Sequence, residues 1–222
     1  MMQSHSLAVV VFDLDDTLYK EQDFLKSAYQ EVAHNLERTY ALPCGVYEQM
    51  IGWWQRGKNV FEQVIRNYSL PLSVGDLLQM YRHHEPQIIL DADTYGLLTS
   101  LVTVCVLGMI TDGRSLTQRH KIQALGLESF FCPSDILISE ETGWQKPAEQ
   151  PFRQFMDRYP EHIYYYIGDN PAKDFIAPNS LGWTTVCLLD NGCNIHPQDF
   201  NQPSGCLPDH RIWHLNELKD II

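Results

Sequence analysis

The chain reads as an α/β protein: a doubly wound parallel sheet with a helical segment inserted after its first strand. Three observations predict this. Leu7 to Phe12 is an unbroken apolar, β-branched run, the pattern of a strand buried on both faces. Four further runs, Val102 to Ile110, Asp135 to Ser139, Tyr164 to Ile167 and Thr184 to Leu189, recur with helical stretches between them, such as Leu116 to Leu125 and Gln150 to Tyr159. From Glu21 to His84 no strand run occurs, while Phe24, Leu25, Ala28, Val32, Leu36 and Tyr40 fall at helical spacing.

The alternation of strand and helix requires right-handed crossovers with helices on both faces of the sheet, and such sheets build their sites at the carboxyl ends of the strands. Gly57, Leu70-Pro71 and Pro86 punctuate the inserted segment, which therefore reads as a small bundle returning to the sheet near Asp91. The expected organisation is an α/β core of residues 1–19 and 87–222 around a helical domain of residues 20–86. Asn191 to Pro208 is rich in Pro, Gly, Asn and Gln and reads as a long surface loop. A last short strand and a helix over Leu215 to Ile222 are expected after it.

With 222 residues, 44% of them hydrophobic and 11% aromatic, the chain can bury one substantial core and a smaller lobe. A formal charge of −12 removes any broad positive field, which argues against nucleic acid and membrane surfaces as partners. A small anionic substrate stays possible, because a metal ion and one or two basic side chains reverse the potential inside a pocket. The six cysteines show no C-x-x-C pair or zinc-type spacing, so free thiols in a reducing, cytoplasmic setting are expected. Met1 to Ser6 carries no basic leader region, and the apolar stretch after it is too short for a signal or membrane segment.

The strand ends carry the chemistry. Asp13 and Asp15 follow the first strand, Thr111-Asp112-Gly113 the second, Lys146-Pro147 lies beyond the third, and Gly168-Asp169-Asn170 with Asp174 follows the fourth. Carboxylates crowded together stay ionised only beside a cation, so Asp13 and Asp169 predict a hard divalent metal, with magnesium the natural candidate. A hydroxyl, a lysine and the amides of a glycine-containing turn suit the non-bridging oxygens of a phosphoryl group. Thr111, Gly113 and Lys146 supply them, and Asp112 joins this candidate substrate-binding set by position, with a capping role as its competing reading.

These residues fall into a pattern that resembles the haloacid dehalogenase superfamily. The D-x-D-x-T motif is matched by Asp13-Leu14-Asp15-Asp16-Thr17, the Ser/Thr motif by Thr111, the lysine by Lys146, and the acidic G-D-x-x-x-x-D motif by Gly168-Asp169 through Asp174. The inserted helices resemble the family's C1 cap. The resemblance implies that Asp13 is the nucleophile of an aspartyl-phosphate route and Asp15 the general acid and base. It also implies that Asp13, Asp169 and the backbone carbonyl of Asp15 hold Mg2+. Asp174 is expected behind that set, or as an alternative ligand.

The acid at Asp15 favours attack on phosphorus over attack on carbon. Asp16 stands where phosphomutases of the superfamily carry glycine, which makes a mutase the weaker alternative, and a non-catalytic phosphate-binding module weaker still. Locally, Thr111 to Leu127, with its Gln118-Arg119-x-Lys121 core, resembles the subgroup of N-acylneuraminate-9-phosphatases and pyrimidine nucleotidases. The expected partner is a small phosphate ester, and the expected assembly a monomer or homodimer. Asp16 reads as a helix cap, Tyr19 as a pocket-lining candidate, and Tyr164-Tyr165-Tyr166 as strand filling. Trp53, Trp54, Arg56, Lys58, Arg82, His83 and His84 read as ordinary core or surface residues of the insertion.

Overall fold

The computed structural model describes residues 7–222. Five elements alternate around the first strand in the expected manner: β1 (Ala8–Phe12), β2 (Cys105–Thr111), β3 (Ile136–Ile138), β4 (Ile163–Gly168) and β5 (Thr184–Leu188). With β6 (His210–Ile212) they form one parallel sheet in the order β3-β2-β1-β4-β5-β6. The reversal of strand order beside β1 places it at the centre, paired with both β2 and β4. That position explains its composition, since Val9, Val10, Val11 and Phe12 have no exposed surface and must satisfy an apolar layer on either face.

On one face Val9, Val11 and Ile110 pack with Phe152 and Phe155 of the helix Gln150–Arg158, and with Tyr166, Phe175 and Trp183. Phe152 meets Tyr166 and Trp183 edge-on at 5.0 and 5.4 Å between ring centroids, the arrangement aromatic quadrupoles prefer. A side chain at Gly108 would run into the Phe155 ring, so the bare backbone there lets the helix Gln150–Arg158 close on the sheet.

The chain divides into two compact units, one of residues up to Glu21 together with Ile89–Ile222, the other Gln22–Ile88. The smaller unit is helical, built from most of α1 (Glu21–Tyr40) and from α2 (Val46–Gln55), α3 (Val60–Tyr68) and α4 (Val74–His83). Its interior is an aromatic cluster in which Tyr81 meets Phe24 at 5.5 Å and Phe61 at 6.0 Å, both edge-on. Asn59 caps α3, and Ser73 with Asp76 forms a reciprocal capping box at α4, which stops the helices where the polar turns fall. No described helix is long and apolar enough to cross a membrane.

Three expectations need correction. The run from Val102 does not begin a strand: α5 (Ala92–Leu101) ends there, the Val102 N–H bonding back to Leu98 O, and β2 starts at Cys105. Val102 and Val104 are exposed, so apolar character alone overstated that strand. The expected terminal helix is a 3-10 helix, Leu215–Asp220, whose buried Leu215 and Leu218 lie three residues apart and so stack on one side of a three-residue turn. The loop of residues 191–208 is not merely a surface loop, because Asn194 and Gln198 reach the strand ends described next.

Candidate active site

β1 delivers Asp13 directly. Its N–H donates to Ile167 O at 2.8 Å, continuing the β1–β4 ladder by one residue, and its carboxylate emerges buried at the carboxyl edge of the sheet. The chain then turns sharply. Asp16 takes a left-handed conformation (φ 57°), Leu18 N bonds Leu14 O at 3.0 Å, and Asp16 Oδ1 accepts the N–H of Glu21 at the start of α1. Asp16 thus has the capping role expected of it, and its second oxygen accepts the N–H of Ile195 from the long loop at 2.9 Å.

Opposite Asp13 stands Lys146, with no exposed side-chain surface. Its Nζ lies 2.8 Å from Asp13 Oδ1 and 2.8 Å from Asp174 Oδ1, and donates to the Tyr166 hydroxyl at 3.0 Å. Burial works against the ammonium, but Asp13 and Asp174 outweigh it and hold Lys146 charged well above the ordinary range. Tyr166 therefore does more than fill the strand. Asp174 in turn accepts the N–H groups of Asp169 and Asn170 through Oδ2, at 3.2 and 2.8 Å, which shapes the turn after β4. A Cβ at Gly168 would lie 2.6 Å from that oxygen, so glycine is what lets the carboxylate sit against the backbone.

Asp13, Asp169 and Asp174 offer oxygens that all lie within 4.8 Å of one another. Burial first, then Asp174 and Asp13, push Asp169 up to about 9; burial, opposed by Lys146, lifts Asp13 to about 6. Three buried carboxylates face one buried lysine here, and the described donor to Asp169 Oδ2 is the neutral amide of Asn194 at 2.9 Å. The cluster offers hard oxygen donors and is short of positive charge on the Asp169 side, so the residues fit a hard divalent cation.

Asp15 and Thr111 meet through Gln118 of α6 (Ser115–Ala124). Gln118 Nε2 donates to Asp15 Oδ2 at 2.9 Å and to Thr111 Oγ1 at 2.6 Å. Asp15 Oδ1 accepts from Tyr19 Oη at 2.6 Å and from Lys121 Nζ at 2.7 Å. Burial pushes the Asp15 carboxyl up, but Lys121 and the hydrogen bonds of Lys121, Tyr19 and Gln118 together hold it below the ordinary carboxylate range.

The remaining candidates sit at the rim. Asp112 Oδ1 accepts the Lys146 N–H at 3.1 Å and Oδ2 lies 3.4 Å from Lys173 Nζ, so this carboxylate seats the lysine-bearing loop. The Gly113 N–H donates to Ser139 Oγ at 2.9 Å. Tyr166, expected only to fill a strand, and Asn194 and Gln198, to which the sequence gives no role, join the site, as do Gln118 and Lys121, which in the sequence mark only a resemblance. The spacing of 118 and 121, one helical turn on one face, was the available signal for that pair; nothing in the loop's composition marked Asn194.

A sequence model of the haloacid dehalogenase-like hydrolases matches residues 10–188. The chain is 27% identical to a glyceraldehyde 3-phosphate phosphatase of Methanocaldococcus jannaschii, with 96% of each chain covered. It is 28% identical to the pyrimidine 5'-nucleotidase YjjG of Escherichia coli over 57% of this chain and 54% of that one. Among solved structures, the HAD-hydrolase YfnB of Bacillus subtilis, determined with bound magnesium, superposes with a TM-score of 0.66 at 23% identity, covering 97% of this chain and 98% of that one.

Proposed function

The chain belongs to the haloacid dehalogenase-like hydrolases, and from that premise we propose that it is a magnesium-dependent phosphatase of a small phosphorylated metabolite, acting through an aspartyl-phosphate on Asp13. The observation that carries this reading is the buried pair of Asp13 with Lys146 at 2.8 Å, beside the carboxylates of Asp169 and Asp174.

A nucleophilic carboxylate must stay anionic while it approaches an anionic phosphoryl group, and a buried lysine on one side with a cation on the other meets that requirement. Asp13 and Asp169, with the Asp15 backbone carbonyl, would hold Mg2+, which supplies charge neutralisation to the transferring phosphoryl group. Asp13 would attack phosphorus in line with the ester oxygen. Asp15 would give its proton to that oxygen as it leaves, then take one from the water that cleaves the aspartyl-phosphate. Thr111 and Lys146 would bind the phosphoryl oxygens.

Two relatives named as glyceraldehyde 3-phosphate phosphatases match over 96% and 97% of the chain and three more over 52% to 81%, while the named nucleotidase matches 57% of it, which supports a small sugar phosphate over a nucleotide. We read the helical unit as the family's cap. The test is phosphate release across a panel of triose, sugar and nucleoside monophosphates, with Mg2+ or EDTA, for wild type and Asp13→Asn. Mg2+-dependent release lowered at least about a thousandfold in Asp13→Asn is expected, in line with loss of a nucleophile; release that survives the substitution overturns the reading.

A further inference from the structure

We propose that Gln118 and Lys121 are positioning residues that hold the Asp15 carboxylate in register with Thr111 for the second half of the reaction. This rests on the function proposed above and adds two residues to it.

Gln118 is buried, and its two amide hydrogens face three acceptors: Thr111 Oγ1 at 2.6 Å, Asp15 Oδ2 at 2.9 Å and, more distantly, Asp112 O at 3.3 Å. One rigid amide therefore fixes the separation between the acid/base carboxylate and the hydroxyl assigned to the phosphoryl group. It also sets polarity. Because the Thr111 oxygen accepts from Gln118, its own hydrogen is left to donate to a phosphoryl oxygen. Gly113 leaves room for this, since a Cβ there would meet Gln118 Cγ at 3.1 Å.

Lys121 grips the other oxygen of Asp15 at 2.7 Å, with its own side chain 3% exposed. An ammonium only donates, so it receives a carboxylate and offers nothing to a carboxylic acid. That matters at one point in the cycle. In the first half, an Asp13 oxygen bonds to phosphorus, the ester P–O bond breaks, and its electron pair leaves on the alkoxide, which takes the Asp15 proton. Asp15 is then a carboxylate. In the second half, water oxygen bonds to phosphorus, Asp15 takes the water proton, and the P–O bond to Asp13 breaks with its electron pair returning to the Asp13 carboxylate. Gln118 and Lys121 meet Asp15 with the donors its base form accepts, so their loss falls on the second half.

The test uses p-nitrophenyl phosphate, whose leaving group is stable without a proton, so its first half does not need Asp15 as an acid. Rapid-mixing kinetics would follow nitrophenolate, and intact mass spectrometry the phosphorylated chain, for wild type, Gln118→Met, Lys121→Met and, as a control on the same helix, Arg119→Ala. The expected result for each of the first two is a burst approaching one nitrophenolate per active site. A steady state about tenfold to a hundredfold below wild type and accumulated phosphoenzyme would accompany it; Arg119→Ala behaves as wild type. The two variants test the proposal separately, so a failure of one to fold leaves the other to decide. Burst and steady state slowed by the same factor, or both unchanged, overturn the proposal. Nitrophenolate release persisting in Asp13→Asn would instead overturn the underlying function.

Discussion

Lys146 Nζ and Asp174 Oδ1 lie 2.8 Å apart with neither side chain exposed. Because the same ammonium also holds Asp13, one buried cation balances two of the three clustered carboxylates.

Removing it strands like charges in a low-dielectric site. Lys146→Met should therefore cost about 3–5 kcal/mol, the usual penalty for breaking a buried pair from one side, and lower the melting temperature by roughly 10 °C. Asp174→Asn keeps the shape and removes one of the two partner charges, so its loss should be smaller. Thermal melts in EDTA make the comparison; a Lys146→Met protein as stable as wild type would refute the pair's structural role.

Asn194 joins the loop after β5 to the site. Its Nδ2 donates to Asp169 Oδ2 at 2.9 Å and its Oδ1 accepts from Lys20 Nζ at 2.7 Å. Such contacts orient a metal-binding carboxylate, and their loss commonly weakens metal affinity about tenfold to a hundredfold. Calorimetric titration of Asn194→Ala with Mg2+ should show a shift of that size at unchanged fold, and an unaltered dissociation constant would count against it.

Stability should depend on pH in opposite senses with and without metal. Burial chiefly raises Asp13 to about 6, Glu21 to about 7 and Asp169 to about 9, each above its value in an unfolded chain. The native state then binds more protons than the unfolded state, so their contribution is fully present below the ordinary carboxylate range and is lost as pH rises through these values. Asp15, held low, acts only at the acid end, losing its contribution as pH falls. Melts in EDTA should thus fall steadily from about pH 5 to about pH 9, whereas Mg2+, proposed above to bind the charged forms, should stabilise most at the alkaline end. A flat profile in EDTA would contradict this.

Much of the fold was legible because a strand buried on both faces reads as a near-continuous apolar, β-branched run. β1 announced itself through Val9, Val10 and Val11. Where apolar residues served another end the reading slipped, as at Val102, which closes a helix. The candidate site was legible in its charged members, since Asp13 and Asp169 stand at the ends of such strands and Lys146 lies eight residues beyond the end of another.

By itself the sequence determined the α/β class, the helical insertion and the charged residues at the strand ends, because periodicity and strand-end carboxylates are local properties of the chain. Tertiary structure alone decided the partners. Asn194 reaches Asp169 across 25 positions, Lys121 reaches Asp15 across 106, and Tyr166 turns its hydroxyl to Lys146 across 20. Each is a neutral or singly charged side chain of common type, and what selects it is the need to satisfy a buried charge, a condition that exists only once the sheet has brought the strand ends together.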